Sequence, residues 1–256
     1  AHMMSVPFEN LDIPLGQKIR LNGEALLNKV VNNRRGGFCY ELNYTFSWLL
    51  SELGFKVSLL GAQVFGDDQY GLELDHMLLL VAVEDGVSVE AEVDFQNSQW
   101  IADVGFGDSF VESLPLNGAK QNQQTQMGNE YQLVEQGPCV ELQRKKPNGA
   151  WQAQYKFGLN AFEFSDFEAM CHYQQTSPES SFSRKSVCSM ITPQGRKTIS
   201  NGRFIDSSGA ERTELPITTP SQYRQVLQQH FNLSLPQEVS LEKLCSASMS
   251  VSGDNV

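Results

Sequence analysis

The feature of this sequence that most constrains its fold is a change in the spacing of its apolar residues near position 55. Before this point they recur every three to four residues, which predicts helices at 24–31 and 39–53. After it they alternate in short runs between turn residues. This pattern predicts strands at 55–65, 76–83, 99–104, 130–135, 140–145 and 151–157. Helices followed by successive short strands indicate an α+β fold with an antiparallel barrel or sandwich.

The last third of the chain is predicted to be mixed. A helix is expected at 163–173, followed by strands at 183–190, 196–200 and 203–206. Thr219 is a candidate N-cap for a final helix, with Pro220 at its first position. Segment 118–126 is rich in Gln and Asn and is predicted to be a solvated loop, and the small polar tail at 246–256 is expected to fray.

Composition narrows the functional classes. The chain has 256 residues, is 40% hydrophobic and carries a net charge of −11. This excludes a disordered chain and argues against a binder of nucleic acid or anionic membranes. No apolar run approaches the ~20 residues of a membrane span. Since the sequence shows no signal peptide, a cytoplasmic protein is expected, while its oligomeric state is not predicted.

Cys39 is the most informative cysteine. The five cysteines do not have the spacing of a disulfide framework or a zinc cluster, so no metal site is predicted. Cys39 follows Gly36 and Gly37, which would let the backbone approach a ligand closely, and opens a predicted helix. Unpaired N–H groups and the helix dipole at this position would stabilise a thiolate. An ordinary buried cysteine would also suit the position, so the pattern alone leaves both interpretations open.

A thiolate nucleophile needs an imidazole partner. His2 lies in a leading Ala-His-Met-Met that resembles a cloning remnant, which leaves His76, His172 and His230. His76 begins an apolar strand, where a polar ring indicates a cleft, although a core histidine bonded to a backbone carbonyl is the alternative.

The imidazole usually has a carboxylate that orients it. Asp103 ends an apolar strand before a glycine-rich turn, where a carboxylate is costly unless it has a specific partner. Asp103 is therefore the best candidate. Asp75 should point to the opposite face of its strand from His76, and Asp94 is a third possibility.

Several segments together resemble one family. Residues 6–12 (VPFENLD), 34–43 (RRGGFCYELN), 76–81 (HMLLLV) and 101–107 (IADVGFG) are similar in sequence and order to the arylamine N-acetyltransferases. Bacterial members are also called N-hydroxyarylamine O-acetyltransferases. Segment 171–182 agrees with the family as well.

The resemblance implies an N-terminal helical bundle, a central antiparallel β-barrel and a C-terminal α/β lid. The corresponding segments are 5–54 for a bundle carrying the nucleophile, 55–169 for a barrel carrying the His and Asp, 170–185 for a helical connector, and 186–256 for the lid. The family normally has a helical segment before the PFEN motif, so the bundle is expected to be short here.

The resemblance also implies the site. The family's catalytic triad falls on Cys39, His76 and Asp103. Its arylamine pocket implicates Phe106, and Phe38 precedes the nucleophile, so the acceptor is expected to bind against Phe38 and Phe106. We further expect backbone N–H groups of the turn containing Gly105 and Gly107 to contact coenzyme A. Basic pairs and triplets at 34–35, 144–146, 184–185 and 196–197 are candidates for its phosphates.

The implied reaction is a ping-pong acetyl transfer from acetyl-CoA, through a thioester on the cysteine, to an arylamine, hydrazine or N-hydroxyarylamine. Such a reaction would serve xenobiotic metabolism. The alternatives from the residues are a cysteine-dependent amide hydrolase, a transglutaminase-like acyltransferase, or a binding protein with a structural Cys39. The resemblance itself also allows an amide synthase of natural-product assembly, because some relatives within the family make amide bonds.

Overall fold

The computed structural model describes residues 1–83, 99–116, 123–209 and 211–245. By compactness the chain divides into two units, one formed by Ala1–Leu42 with Glu168–Val256 and the other by Asn43–Phe167. This division joins the first and last parts of the chain in one unit, whereas the sequence-based prediction has four consecutive segments.

Five α-helices lie in the described residues: α1 Gly23–Leu27, α2 Cys39–Glu52, α3 Glu168–Thr176, α4 Ser181–Arg184 and α5 Pro220–Phe231. A π-helical turn, Asn28–Asn32, continues α1, and the predicted helix at 39–53 is confirmed as α2. The Thr219 side chain accepts a hydrogen bond from the Gln222 N–H at 3.2 Å, which confirms the predicted N-cap of α5. None of the described helices is long and apolar enough to cross a membrane.

Fourteen strands are described: β1 Phe8–Glu9, β2 Lys56–Gly66, β3 Gln69–Tyr70, β4 His76–Ala82, β5 Gln99–Ala102, β6 Leu114–Pro115, β7 Gln124–Gln126, β8 Asn129–Gln136, β9 Cys139–Lys145, β10 Trp151–Phe157, β11 Val187–Thr192, β12 Gly195–Ser200, β13 Arg203–Ser208 and β14 Glu211–Pro216. The six strands predicted between 55 and 157 are confirmed, with ends that differ by at most two residues. Their alternation of apolar and polar residues is the signal that made them predictable.

Two local predictions are wrong. The strand predicted at 183–190 begins only at Val187, because Ser180 caps the Phe182 N–H at 3.1 Å and starts α4 instead. The loop predicted at 118–126 contains β7 at its end. The predicted tail at 246–256 lies outside the described residues.

The second unit, Asn43–Phe167, is built on a nine-stranded antiparallel sheet in the order β6-β5-β4-β2-β10-β9-β8-β7, with β3 paired to β2. The Gln126 side chain in β7 accepts hydrogen bonds from the N–H groups of Val111 and Glu112, just before β6. This amide links the two end strands of the sheet, which is a nearly closed barrel and confirms the predicted α+β fold. Its buried core draws on nearly every strand: Leu60, Leu78, Ile101, Leu133, Leu142 and Phe157 are members.

The first unit carries a five-stranded antiparallel sheet in the order β1-β11-β12-β13-β14. The apolar stripe of α5 packs against it through Tyr223, Leu227 and Phe231, together with Ile199 and Phe204 of the sheet. The N-terminal PFEN segment therefore forms the edge strand of this sheet, as β1, and reaches Gly37 through an isolated bridge from Phe8.

Gly36 is required by a close backbone approach. A Cβ at this position would lie 1.9 Å from the Pro7 carbonyl oxygen and 2.8 Å from Glu9 Cγ. We expect Gly36→Ala to lower the free energy of unfolding by about 1–3 kcal/mol, as for other overpacked positions. Urea denaturation would measure this. At Gly158 a Cβ would have no neighbour within 4 Å, so Gly158→Ala is the matched control and should be close to neutral. Equal effects of the two substitutions would contradict this explanation.

Candidate active site

A buried histidine–carboxylate pair lies in the barrel unit. His76 is the first residue of β4 and Asp103 directly follows β5, the antiparallel neighbour of β4. The distance from His76 Nε2 to Asp103 Oδ2 is 2.8 Å, and both residues are buried. The structure thus brings together two of the three residues on which the sequence resemblance places the triad.

Asp103 accepts further hydrogen bonds from three other groups. Its Oδ1 accepts from Asn43 Nδ2 and from the Gly105 N–H, each at 2.9 Å, and its Oδ2 accepts from the Tyr155 hydroxyl at 3.0 Å. Burial alone would raise the pKa of Asp103, but the nearby His76 and the hydrogen bonds from His76, Asn43 and Gly105 outweigh it and leave the pKa below its ordinary value. Asp103 is therefore a fixed negative charge at neutral pH.

Asn43 and Tyr155 are site residues that the sequence analysis did not single out. Asn43 lies on α2, inside the segment RRGGFCYELN, so its position in that motif was an available signal. It also donates to the Met77 carbonyl and accepts from the Val104 N–H, and these bonds join α2 to β4 and to the turn after β5. Tyr155 comes from β10, and only the closing of the sheet brings its hydroxyl to Asp103.

Two aromatic rings surround the imidazole. The Phe106 and Tyr155 ring centroids lie 5.1 Å and 5.2 Å from that of His76, and 5.1 Å from each other. Phe106 is only partly buried and follows Asp103 in the turn 105–107. Phe106 and Tyr155 thus form an apolar wall beside the His76 ring.

The other carboxylates and histidines that the sequence offered as candidates make different contacts where the structure describes them. Asp75 Oδ1 accepts from the Val64 N–H at 2.9 Å, and burial raises the pKa of Asp75 to about 6. Asp94 lies outside the described residues. His172 is exposed on α3, and His230 stacks on Phe204 with a centroid distance of 4.5 Å.

Cys39 is the first residue of α2 and is 3% exposed. The preceding Phe38 is fully buried, and its ring meets those of Tyr40 and Phe182 edge-on, at 5.1 and 5.6 Å. The sequence analysis expected Gly36 and Gly37 to let the backbone approach a ligand closely. In the structure the space beside both glycines is filled by other residues of the chain. A Cβ at Gly37 would lie 2.7 Å from Glu41 Cβ and 2.8 Å from Glu41 Oε2.

The glycine turn and the basic clusters also make contacts within the protein. The Gly105 N–H, expected to contact coenzyme A, donates instead to Asp103, whereas Gly107 has a left-handed φ of +90°. Arg35 is paired with Glu9 and Asp12.

In the 144–146 cluster, Arg144 is paired with Asp108 and Lys145 with Glu130. Within the ranges that the structure describes, no group of three or more His, Cys, Asp or Glu side chains could hold a metal ion.

Tyr155 offers a test of how Asp103 is held. Tyr155→Phe removes one hydroxyl donor from a buried carboxylate and keeps the ring, and hydrogen bonds to charged groups contribute about 1.5–3 kcal/mol. We expect the free energy of unfolding at pH 7 to fall by an amount in that range, measured by urea denaturation. Tyr173→Phe on α3 is the control and should change it little, because no hydrogen bond of its hydroxyl is described. An unchanged stability of Tyr155→Phe would contradict the prediction.

The chain is also similar to proteins of known family. A family model described as N-acetyltransferase matches residues 1–239. A protein named arylamine N-acetyltransferase / N-hydroxyarylamine O-acetyltransferase from Salmonella typhimurium is 35% identical over 240 residues, covering 92% of this chain and 80% of that protein. Arylamine N-acetyltransferase 1 from Homo sapiens is 30% identical, covering 92% of this chain and 85% of that protein. The solved structure of arylamine N-acetyltransferase from Salmonella typhimurium aligns with a TM-score of 0.82 and 30% identity, covering 98% of this chain and 88% of that chain.

Proposed function

This chain belongs to the arylamine N-acetyltransferase family, and from that premise we propose that it transfers an acetyl group from acetyl-CoA to arylamines. N-hydroxyarylamines and hydrazines are further acceptors in the proposal. The name of the Salmonella relative, which includes O-acetyl transfer to N-hydroxyarylamines, supports the first of these. The observation that carries the proposal is the buried His76–Asp103 pair, in a chain whose RRGGFCYELN segment starts a helix at Cys39.

Cys39 is the proposed nucleophile. It occupies the first position of α2, where the helix dipole favours a thiolate. Cys39 also precedes Asn43 by one helical turn, and side chains four residues apart share a helix face. Since Asn43 donates to Asp103, the partner of His76, this spacing favours Cys39 over the other four cysteines as the thiol that His76 serves.

His76 is the proposed base. With Nε2–H donating to Asp103, the other ring nitrogen, Nδ1, is left to accept a proton. In the first half-reaction His76 takes the thiol proton, Cys39 Sγ attacks the acetyl carbonyl, and the thioester C–S bond breaks. The proton passes to the sulfur of coenzyme A, which leaves as a thiol. Backbone N–H groups near the start of α2 are the proposed donors to the oxyanion.

In the second half-reaction the amine nitrogen attacks the carbonyl of the acetyl-cysteine, the C–S bond to Cys39 breaks, and the acetylated amine leaves. His76 accepts the amine proton and returns it to the Cys39 sulfur, so the free thiol is restored. Asp103 stabilises the imidazolium form of His76 during each transfer, because its charge is fixed and only 2.8 Å away.

Phe106 is the proposed contact for the aromatic acceptor, because its partly buried ring stands beside His76. Phe38 is retained as the residue next to the nucleophile. Its ring is fully buried among aromatic side chains, so its proposed contribution is to the packing beneath the acceptor. Gly105 and Gly107 remain the proposed coenzyme A contacts of the turn, and the Gly105 N–H also donates to Asp103.

A covalent intermediate tests the proposal. Incubation with acetyl-CoA alone should add one acetyl group to the peptide that contains Cys39, detected by mass spectrometry, and addition of an arylamine should remove it. Acetylated arylamine formed without any acetyl-Cys39 would contradict the ping-pong route. Turnover of peptide or glutamine donors, with no reaction of acetyl-CoA, would instead favour an amide-directed acyltransferase.

A further inference from the structure

A buried carboxylate that the proposed mechanism does not use lies on the first turn of the nucleophile helix. Glu41 is 1% exposed. Its Oε2 accepts a hydrogen bond from the Phe38 N–H at 3.1 Å, and the Phe38 carbonyl in turn accepts from the N–H groups of Glu41 and Leu42. Glu41 therefore occupies the third helical position and bonds back to the residue just before the helix, as a capping-box glutamate does.

The geometry of this cap accounts for one glycine of the RRGGFCYELN segment. The Glu41 side chain folds back over Gly37, where a Cβ would lie 2.8 Å from Oε2 and 3.0 Å from Cδ. No other residue could occupy position 37 without displacing the carboxylate. The glycine before the nucleophile and the glutamate after it thus form one local structure, with Cys39 between them.

A lysine balances the charge of this cap. Lys29, on the π-helical turn, donates to Glu41 Oε1 at 2.8 Å and lies 2.7 Å from Asp12. Other charged or titratable groups near Glu41 are Glu9 and Asp12 of the N-terminal segment, Arg35, and Cys171 of α3. Burial raises the pKa of Glu41 to about 7, although Lys29 opposes this, so the carboxyl is poised between its two forms near neutral pH.

We propose that Glu41 is a positioning residue for Cys39: its side-chain oxygen fixes the backbone at the start of α2, and the paired Lys29 keeps its charge from opposing the thiolate. The inference rests on the proposed function, in which Cys39 is the nucleophile. An acceptor oxygen is what the cap requires, so a neutral amide at position 41 serves the same purpose. An alanine methyl group at position 41 offers no acceptor, so it would leave the Phe38 N–H without its side-chain partner.

The thiol of Cys39 can be titrated without any acetyl donor. The rate of its alkylation by iodoacetamide is followed against pH by mass spectrometry of the Cys39 peptide. The midpoint reports the thiol pKa even though Cys39 is 3% exposed, because limited access scales the rate equally at every pH. Glu41→Gln and Glu41→Ala are compared with wild type. Glu24→Ala is the matched control, since Glu24 is an exposed glutamate in the first turn of α1.

We expect Glu41→Ala to raise the midpoint by about one pH unit, within the range by which helix N-termini shift such thiols. Glu41→Gln should restore a midpoint at or below that of wild type, and Glu24→Ala should leave it unchanged. An unshifted midpoint in Glu41→Ala would overturn the inference, as would a Glu41→Gln variant shifted as far upward as Glu41→Ala.

A second variant tests the role of the lysine and does not depend on Glu41→Ala folding. Lys29→Met leaves the Glu41 carboxylate without its cation, so the midpoint of Cys39 should rise, and adding Glu41→Gln to it should reverse the rise. A Lys29→Met midpoint equal to that of wild type would overturn the charge-balancing part. Loss of acetyl transfer in Cys39→Ser tests the proposed function separately, since these titrations need no acetyl-CoA.

Discussion

Cys39→Ser should lower the rate of acetyl transfer to an arylamine by at least about 10³-fold, the order of loss seen when a catalytic nucleophile is removed from a triad. A serine hydroxyl has a far higher pKa than a thiol, so His76 cannot convert it into a comparable nucleophile. The substitution removes no large side chain, and the helix should still start at position 39. Steady-state assays with acetyl-CoA and an aminobenzoate would measure the change, with circular dichroism to show that the protein is folded.

Cys139→Ser is the control for this experiment. Cys139 is half-buried at the start of β9 and belongs to the barrel sheet. Its replacement by serine should leave the transfer rate within about twofold of wild type, as for most substitutions away from a functional site. A fully active Cys39→Ser enzyme would contradict the assignment of the nucleophile, and with it the thioester intermediate.

Asp103→Asn should lower the transfer rate by about 10³- to 10⁴-fold while leaving binding of the acceptor nearly unchanged. Four polar groups converge on the two oxygens of Asp103, from His76, Asn43, Gly105 and Tyr155. An amide supplies only one acceptor oxygen. If its NH₂ faces His76, the ring takes the opposite tautomer and Nδ1 carries the proton that it should accept. Incubation with acetyl-CoA alone, followed by mass spectrometry of the Cys39 peptide, should show slow formation of acetyl-Cys39.

Asp67→Asn is the control for Asp103→Asn. Asp67 lies on the exposed turn between β2 and β3 with a left-handed φ of 50°, which asparagine also adopts. It should retain wild-type rates. Asp103→Asn with more than a tenth of the wild-type rate would contradict the orienting role.

The free energy of unfolding should also depend on pH differently in wild type and in Asp103→Asn. Folding lowers the pKa of Asp103 below its ordinary 3.8. The ionised carboxylate therefore stabilises the fold above that unfolded pKa, and this contribution is lost as the pH falls through the folded pKa. Asp103→Asn should be less sensitive than wild type to acid over this interval, as measured by urea unfolding at a series of pH values.

Most of the barrel could be predicted because each of its long strands carries its own alternation of apolar and polar residues. The α4 segment could not, because its four-residue helix depends on the Ser180 cap and is too short to show a period. β7 could not be predicted either, because three residues are too few to show an alternation. Its polar glutamines join the sheet through contacts such as those of Gln126 with Val111 and Glu112, which are distant in sequence.

The candidate site divides in the same way. Cys39, His76 and Asp103 lie in segments whose local pattern is informative: a helix start after two glycines, a polar residue on an apolar strand, and a charge before a glycine turn. Tyr155 has no such signal, since a tyrosine in a barrel strand ordinarily indicates core. The placement of the Gly105 N–H was unpredictable too, because it depends on how the turn folds back onto Asp103.

By itself the sequence determined the order of the longer helices and strands, the family, and the candidate residues for carrying an acetyl group or a proton, because these follow from local periodicity, residue chemistry and motif. Only the tertiary structure decided how those residues are held. Four donors meet at Asp103 because β4, β10, α2 and the turn after β5 converge there. Glu41 folds over Gly37 and caps α2, and Lys29, on a separate helical turn, pairs with its other carboxylate oxygen. The bonds of Asp103 with Asn43, His76 and Tyr155, and of Glu41 with Lys29, join residues at least twelve positions apart. No local sequence pattern records such contacts.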